Sequence, residues 1–186
     1  MYGKSKNCLT CRQLQLSNKF RQLWNEHVLW TRSFIVSTAF CLPDIEAVTD
    51  RLLQNPCDFA RVLRRFYGRH KAETFKRLFT DHLLIAAALV TAAKTGDCEE
   101  YEKQRRLWYR NAEDIAKFLA SINPFWKVCL WRGLLFDHLR MTEDEAAYIL
   151  DGQFERSIRI YQCIQQEAMK MADVLTCGIV RQFCVR

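Results

Sequence analysis

A helical period runs through almost the whole of this 186-residue chain and restricts it to an all-α fold. Apolar side chains recur every three or four residues between widely spaced turns, and no segment alternates as a strand does. Only six glycines and three prolines interrupt the pattern, and 49% of the residues are hydrophobic. This composition is typical of a packed helical core. The length suits one domain, and no internal repeat or low-complexity run is evident.

Four long amphipathic helices are predicted, over 17–41, 70–95, 97–121 and 153–183. Ser17 and Asp97 are candidate N-caps of the first and third helices, and Gly96 is a candidate C-terminal stop of the second. The predicted architecture is therefore a four-helix bundle of long amphipathic helices joined by short helical crossover connections. It forms a single domain over 17–186 after a polar N-terminal tail over 1–16.

The crossovers are assigned to three short helices, over 44–54, 57–66 and 126–140. Pro43 and Pro56 are expected to separate helices, because proline lacks the N–H that a helix interior needs. Another helix start is predicted at Thr142, because Glu145 follows it three residues later as in a capping box.

The charge pattern indicates a solvated basic surface, and no nucleic-acid-binding module is recognisable. The net charge is +7, but 28 basic residues are interspersed with 21 acidic ones, so nucleic-acid binding is not expected. No apolar run reaches the roughly 20 residues needed to cross a membrane, and no signal peptide is visible. The nine cysteines have no disulfide-scaffold spacing, which favours reduced thiols in the cytoplasm. A homo-oligomer is compatible with this composition.

Two histidines lie on the apolar stripes of two long helices that run in opposite directions. At a rise of about 1.5 Å per residue, His27 lies about 14 Å and His82 about 18 Å from the start of its helix. They should therefore sit at similar heights in the bundle. Asn111, Gln165 and Glu167 fall near the middle of the two remaining long helices, so a buried polar layer is expected.

Two interpretations of this layer remain open. In the first, it binds a transition metal or a small ligand, since neutral imidazole is a common metal ligand and bundle interiors host such sites. Haem is a weaker alternative. In the second, the histidines are structural, with His27 bonded to Gln165 for example, in an interaction or scaffold protein. The candidate metal ligands are His27, His82 and Glu167, and the candidate ligand-binding residues are Trp30, Arg32, Trp108, Asn111 and Gln165.

No enzymatic motif is present, so no catalytic residue is assigned. Neither His27 nor His82 has a glutamate three residues before it, which excludes the di-iron carboxylate pattern. The His-Glu-x-x-His, glycine-rich phosphate and Gly-x-Ser-x-Gly patterns are also missing. His138 is expected at a helix end, and His70 should face solvent.

The cysteines near the chain ends raise a zinc hypothesis. Cys8 and Cys11 precede the first long helix, and Cys177 and Cys184 lie on the last, so the four thiols could meet in a tetrahedral site. The six residues between the second pair are unlike a zinc knuckle, so packed or mobile free thiols are the alternative.

Several motifs resemble a group of small helical bacterial proteins of unknown function from Gram-positive spore formers. They are LWNEHVLWTR, LLQNPCDFARVLRRFYG, DHLLIAAALVTAAKTGD, WYRNAEDIAKFLASINPFW and MADVLTCGIVRQF, within about 22–183. Some members are labelled acetylglutamate kinase, whose glycine-rich phosphate-binding features are missing here. The resemblance implies an all-helical fold and brings no activity. The recurrent elements of the group match His27, Trp30, Arg32, His82, Trp108 and Asn111.

Overall fold

The computed structural model describes residues 9–186 and contains five α-helices over that part of the chain. No strand occurs among these residues, so the predicted all-α class is confirmed. The number of helices differs from the four-helix bundle that was expected. The helices are α1 (Cys11–Ala39), α2 (Ile45–Thr95), α3 (Cys98–Ile122), α4 (Val128–Leu150) and α5 (Phe154–Phe183).

Helix α2 is a hairpin of two antiparallel halves, because the chain reverses at Gly68. Gly68 has φ 77° and ψ 174°, a conformation that is nearly restricted to glycine. The ring centroids of Phe59 and Phe79 lie 5.3 Å apart across this turn. Twenty residues of straight helix would separate them by about 30 Å. The two halves, 45–67 and 69–95, therefore behave as separate members of the bundle.

The resulting six rods alternate in direction and form three consecutive helical hairpins. The first pairs α1 with residues 45–67, the second pairs residues 69–95 with α3, and the third pairs α4 with α5. Contacts also join α1 to α5 and α3 to α4, which closes the rods into a ring. Because of the alternation, α1, residues 69–95 and α4 run parallel to one another.

Three predicted helix boundaries are wrong. Helix α1 begins at Cys11 and not at Ser17, because Thr10 and Gln13 form a capping box. Pro56 lies inside α2, where burial of Phe59 and Leu63 outweighs the loss of one backbone hydrogen bond.

The third wrong boundary is at Thr142, which lies in the middle of α4 and caps nothing. Its hydroxyl donates to the His138 carbonyl at 2.9 Å, as a helix-interior threonine often does. The apolar stripe of α4 continues through this point, so the short helix predicted over 126–140 and the next one are a single element.

By length and composition alone, α2 is the one helix in the described part of the chain that could span a membrane. Core helices of soluble proteins pass the same test. Of its apolar window, 33% is buried inside the fold.

A close contact between α5 and the loop before α4 depends on a glycine. The Trp126 indole N–H donates to the Val174 carbonyl at 3.0 Å, and the ring is 1% exposed. A Cβ at Gly178 would overlap this ring. Gly133 on α4 has open space around its Cα, so it serves as a matched control.

We predict that Gly178→Ala lowers the free energy of unfolding by about 1–3 kcal/mol, because the buried indole must move. Gly133→Ala should raise it by about 0.5–1 kcal/mol, because alanine loses less backbone entropy in a helix. Urea denaturation followed by circular dichroism measures both changes. Equal effects of the two substitutions would contradict the packing described for Trp126.

Candidate functional site

Three histidines from three parallel helices meet at the centre of the bundle. They are His27 on α1, His82 on the second half of α2 and His138 on α4, each at most 2% exposed. The His27 ring centroid lies 5.4 Å from that of His138 and 6.5 Å from that of His82. The expectation that His27 and His82 share a layer is thus met in the structure, and a third imidazole joins them.

His82 is held in one orientation by Asn111 of α3. The Asn111 amide nitrogen donates to the Leu78 carbonyl at 3.0 Å, so its carboxamide oxygen faces His82 Nδ1, at 2.9 Å. A carboxamide oxygen only accepts, and therefore Nδ1 carries the proton of the neutral ring. The lone pair of His82 is then on Nε2, which is the atom that would bind a metal or accept a hydrogen bond.

His138 faces a buried carboxylate on α5. Its Nδ1 lies 3.5 Å from Glu167 Oε2, and the glutamate side chain is 8% exposed. Neither carboxylate oxygen of Glu167 has a hydrogen-bond partner within the described residues, and His138 Nδ1 has none either. A buried polar atom without a partner costs about 1–3 kcal/mol, so this pair is suited to an additional ligand.

Aromatic side chains surround the imidazoles. The Phe79 ring centroid lies 4.9 Å from His27, and the Trp24 and Trp108 centroids lie 5.4 Å from His27 and 5.3 Å from His82. The indole N–H groups of Trp24 and Trp108 are buried without an acceptor in the part of the chain that the structure describes. The site therefore combines an apolar wall with unused donors.

Burial keeps two of the imidazoles neutral. Loss of hydration and, to a smaller extent, the neighbouring His138 lower the pKa of His82 to about 3, with the hydrogen bond to Asn111 opposing the shift. The pKa of His27 is held well below its usual 6.5 by burial first, then by His138 and His82, with Asn55 opposing the shift. Neutral imidazole is the form that binds metal ions.

A buried ion pair adjoins this layer. Glu145 on α4 contacts the Arg32 guanidinium of α1, and burial raises the pKa of Glu145 to about 7 despite the opposing effects of Arg32 and His138. Arg32 also lies 3.3 Å from the Ser157 hydroxyl oxygen and 5.0 Å from the Tyr161 ring centroid. The predicted capping role of Glu145 is therefore wrong, since its side chain is used in packing α1 against α4.

The remaining candidates differ in their relation to the histidines. Trp108 contacts His82, whereas Trp30 is half-buried with Arg51 stacked 5.5 Å from its ring centroid. Gln165 is half-buried. Among the described residues it makes no hydrogen bond with His27, so the proposed structural bond between these two residues is not formed.

Sequence reasoning missed the role of His138, whose predicted place at a helix end is wrong. Because a new helix was predicted to start at Thr142, the apolar stripe of α4 was taken to end just after this histidine. Two signals were available. A leucine stands four residues before each buried histidine, at Leu23, Leu78 and Leu134, and an acidic residue stands directly before each one.

The zinc hypothesis gains no support from the described residues. Cys8 lies outside them, and Cys11, Cys177 and Cys184 are exposed free thiols. Over residues 9–186, no three or more histidine, cysteine, aspartate or glutamate side chains are already arranged to hold a metal ion. Any metal bound at the histidines would therefore require their rings to turn.

The buried histidines predict acid sensitivity. The unfolded chain takes up protons at His27 and His82 below pH 6.5, while the folded state excludes them. The free energy of unfolding therefore decreases as the pH is lowered. Glu145 opposes this trend, because its folded pKa of about 7 exceeds its usual 4.5. Burial also raises the pKa of Glu143, which opposes the trend further. Two histidine protons against one at Glu145 therefore give a loss of at most about 1.4 kcal/mol per pH unit between pH 6.5 and 4.5.

Urea unfolding at several pH values measures this slope. His82→Gln removes one of the two excluded protons and should flatten the slope, whereas His70→Gln, at an exposed position, should leave it unchanged. Equal slopes in the wild type and His82→Gln would contradict the assignment.

We compared the chain with protein-family models, curated proteins and solved structures. No family model, curated protein or solved structure matched it.

Proposed function

We propose that this protein binds a transition-metal ion, or failing that a small polar ligand, in the buried polar layer around His27, His82 and Glu167. The observation that carries the proposal is the convergence of three imidazoles and a carboxylate, in which His27 Nδ1, His138 Nδ1 and both Glu167 carboxylate oxygens have no hydrogen-bond partner among the described residues. A purely structural layer would be expected to satisfy its own hydrogen bonds, as most buried polar groups do.

The donor types favour a first-row transition metal. Imidazole nitrogen together with carboxylate oxygen suits zinc, iron, cobalt, nickel or copper. The lowered pKa of His27 and His82 keeps both rings in the ligating form at neutral pH. Haem is less suitable, because a porphyrin would displace the aromatic side chains that pack against the histidines. No catalytic role is proposed.

The candidate ligand-binding residues take supporting places in this proposal. Asn111 orients His82, and Trp108 packs against it. Arg32 neutralises Glu145 beside the layer. We also propose a cytoplasmic location, since the described cysteines are free and thiols stay reduced there.

Metal analysis of protein purified without a histidine tag tests the proposal. We expect about one equivalent of metal, or saturable Co²⁺ binding after chelation, with both lost in His27→Ala and in His82→Ala. His70→Ala is the matched control and should retain binding. A metal-free protein that also fails to bind added Co²⁺ would contradict the metal site.

An interaction role is the second candidate, because one end of the bundle exposes an apolar patch. Phe40, Phe154 and Ile158 are 49%, 48% and 52% exposed, and the two phenyl ring centroids lie 5.9 Å apart. Exposed apolar groups that are contiguous often mark a protein interface. A second copy of the chain is the simplest partner.

Light scattering after size-exclusion chromatography tests this second function. If the patch mediates self-association, the wild type should be a dimer and the Phe154→Ser, Ile158→Ser double variant a monomer. Leu107→Ser and Leu130→Ser, at exposed positions on α3 and α4, provide the control. A monomeric wild type would exclude self-association through the patch.

A further inference from the structure

The three helices that carry the buried histidines share a ten-residue pattern. Each segment begins with an aromatic residue and a basic residue, has leucine at its fourth position, an acidic residue at its seventh and histidine at its eighth. His27 and His82 are 55 residues apart, and His82 and His138 are 56 residues apart. The expectation of no internal repeat is therefore wrong. The segments are FRQLWNEHVL at 20–29, FKRLFTDHLL at 75–84 and WRGLLFDHLR at 131–140.

The partner helix of each hairpin repeats as well. Each nine-residue segment starts with a polar residue, has an apolar residue and then alanine at its fifth and sixth positions, and ends with leucine. These three apolar positions are buried in every copy. The copies start 56 residues apart, as NPCDFARVL at 55–63, NAEDIAKFL at 111–119 and EAMKMADVL at 167–175. The chain therefore consists of three related helical hairpins.

The first residue of the repeated segment on the second helix makes the same hydrogen bond in the first two hairpins. The Asn55 amide donates to the Leu23 carbonyl at 3.0 Å, and the Asn111 amide donates to the Leu78 carbonyl at 3.0 Å. Each leucine lies four residues before the histidine of its own hairpin. The Asn111 carboxamide oxygen accepts from His82 Nδ1, whereas Asn55 Oδ1 and His27 Nδ1 have no hydrogen-bond partner among the described residues.

Glu167 occupies the same position in the third hairpin and faces His138 Nδ1. An ionised carboxylate only accepts hydrogen bonds, just as a carboxamide oxygen does. In the second and third hairpins the residue on the second helix therefore favours a proton on Nδ1 and leaves the lone pair on Nε2. In the first hairpin, Asn55 holds the equivalent position, and the proposal extends the same orientation to His27. A carboxylate or carbonyl that orients a metal-binding histidine in this way is a common arrangement around bound metals.

We propose that the three Nε2 atoms of His27, His82 and His138 together hold one divalent first-row transition-metal ion near the axis that relates the three hairpins. Glu167, which was expected to be a ligand, is instead a positioning residue for His138 and partly balances the charge of the ion. One or more coordination positions stay open to water or a small anion. This inference rests on the proposed function and specifies its ligands.

The ring positions are close to what such a site needs. With metal–nitrogen distances of about 2.0–2.1 Å, two imidazole centroids on one ion lie about 5–6 Å apart. His27 and His138 already satisfy this at 5.4 Å, and His82, at 6.5 Å from His27, must approach by about 1 Å. The proposal requires His82 to turn toward the other two rings, since no ligand set is preformed among the described residues.

Proton NMR of the Co²⁺-loaded protein counts the ligands directly, because each coordinated imidazole contributes one strongly shifted, exchangeable Nδ1–H signal. We expect three such signals in the wild type. His27→Gln, His82→Gln and His138→Gln should each remove one signal and weaken Co²⁺ binding at least 100-fold. Glu167→Gln should keep all three signals and weaken binding only about 10- to 100-fold.

The outcomes separate this inference from the proposed function. A wild type that binds no Co²⁺ would overturn both. A wild type that binds Co²⁺ with two or fewer shifted signals would overturn the three-imidazole site alone. Loss of all binding in Glu167→Gln, with circular dichroism unchanged and with His138→Gln still binding, would make Glu167 the ligand and would also overturn it.

Discussion

Burial of three imidazoles in one apolar layer is the constraint on which this structure depends. Each ring loses its hydration, and the neighbouring rings disfavour a second positive charge, so His27 and His82 stay neutral. A neutral imidazole still has one donor and one acceptor, and both need partners away from water. The second helix of each hairpin provides a polar residue beside the histidine of the first. The pairing of the helices thus places a polar side chain where a buried imidazole needs a hydrogen-bond partner.

Much of this arrangement could be predicted from the apolar period. The period indicated helices throughout, placed His27 and His82 in the core at similar heights, and brought Asn111 to the same layer. It failed where local capping signals competed with long-range packing. Thr142 and Glu145 have the spacing of a helix start, but burial of Glu145 against Arg32 and of the stripe around it makes them interior residues of α4.

The helix count failed for a related reason. Pro56 suggested a break, so the residues before Gly68 were read as crossover connections and not as a full member of the bundle. The hydrogen bond from Asn55 to the Leu23 carbonyl and the buried Phe59 ring hold this segment against α1 as one helix. Interactions of this kind join residues about thirty positions apart, and a local pattern cannot reveal them. Comparison of the chain with itself would have been more informative, since it relates His138 to the other two histidines.

The presence of the three hairpins in one chain has a consequence for the charge of the histidine layer. A protein that consists of a single hairpin could form the same ring as a homotrimer, with its three histidines arranged around an exact three-fold axis. Such a trimer must place either three carboxylates or none beside its imidazoles, because its subunits are identical. Fusion into one chain removes that restriction. The present sequence has two asparagines and one glutamate at the equivalent positions 55, 111 and 167, a charge distribution that a homotrimer of one hairpin cannot have.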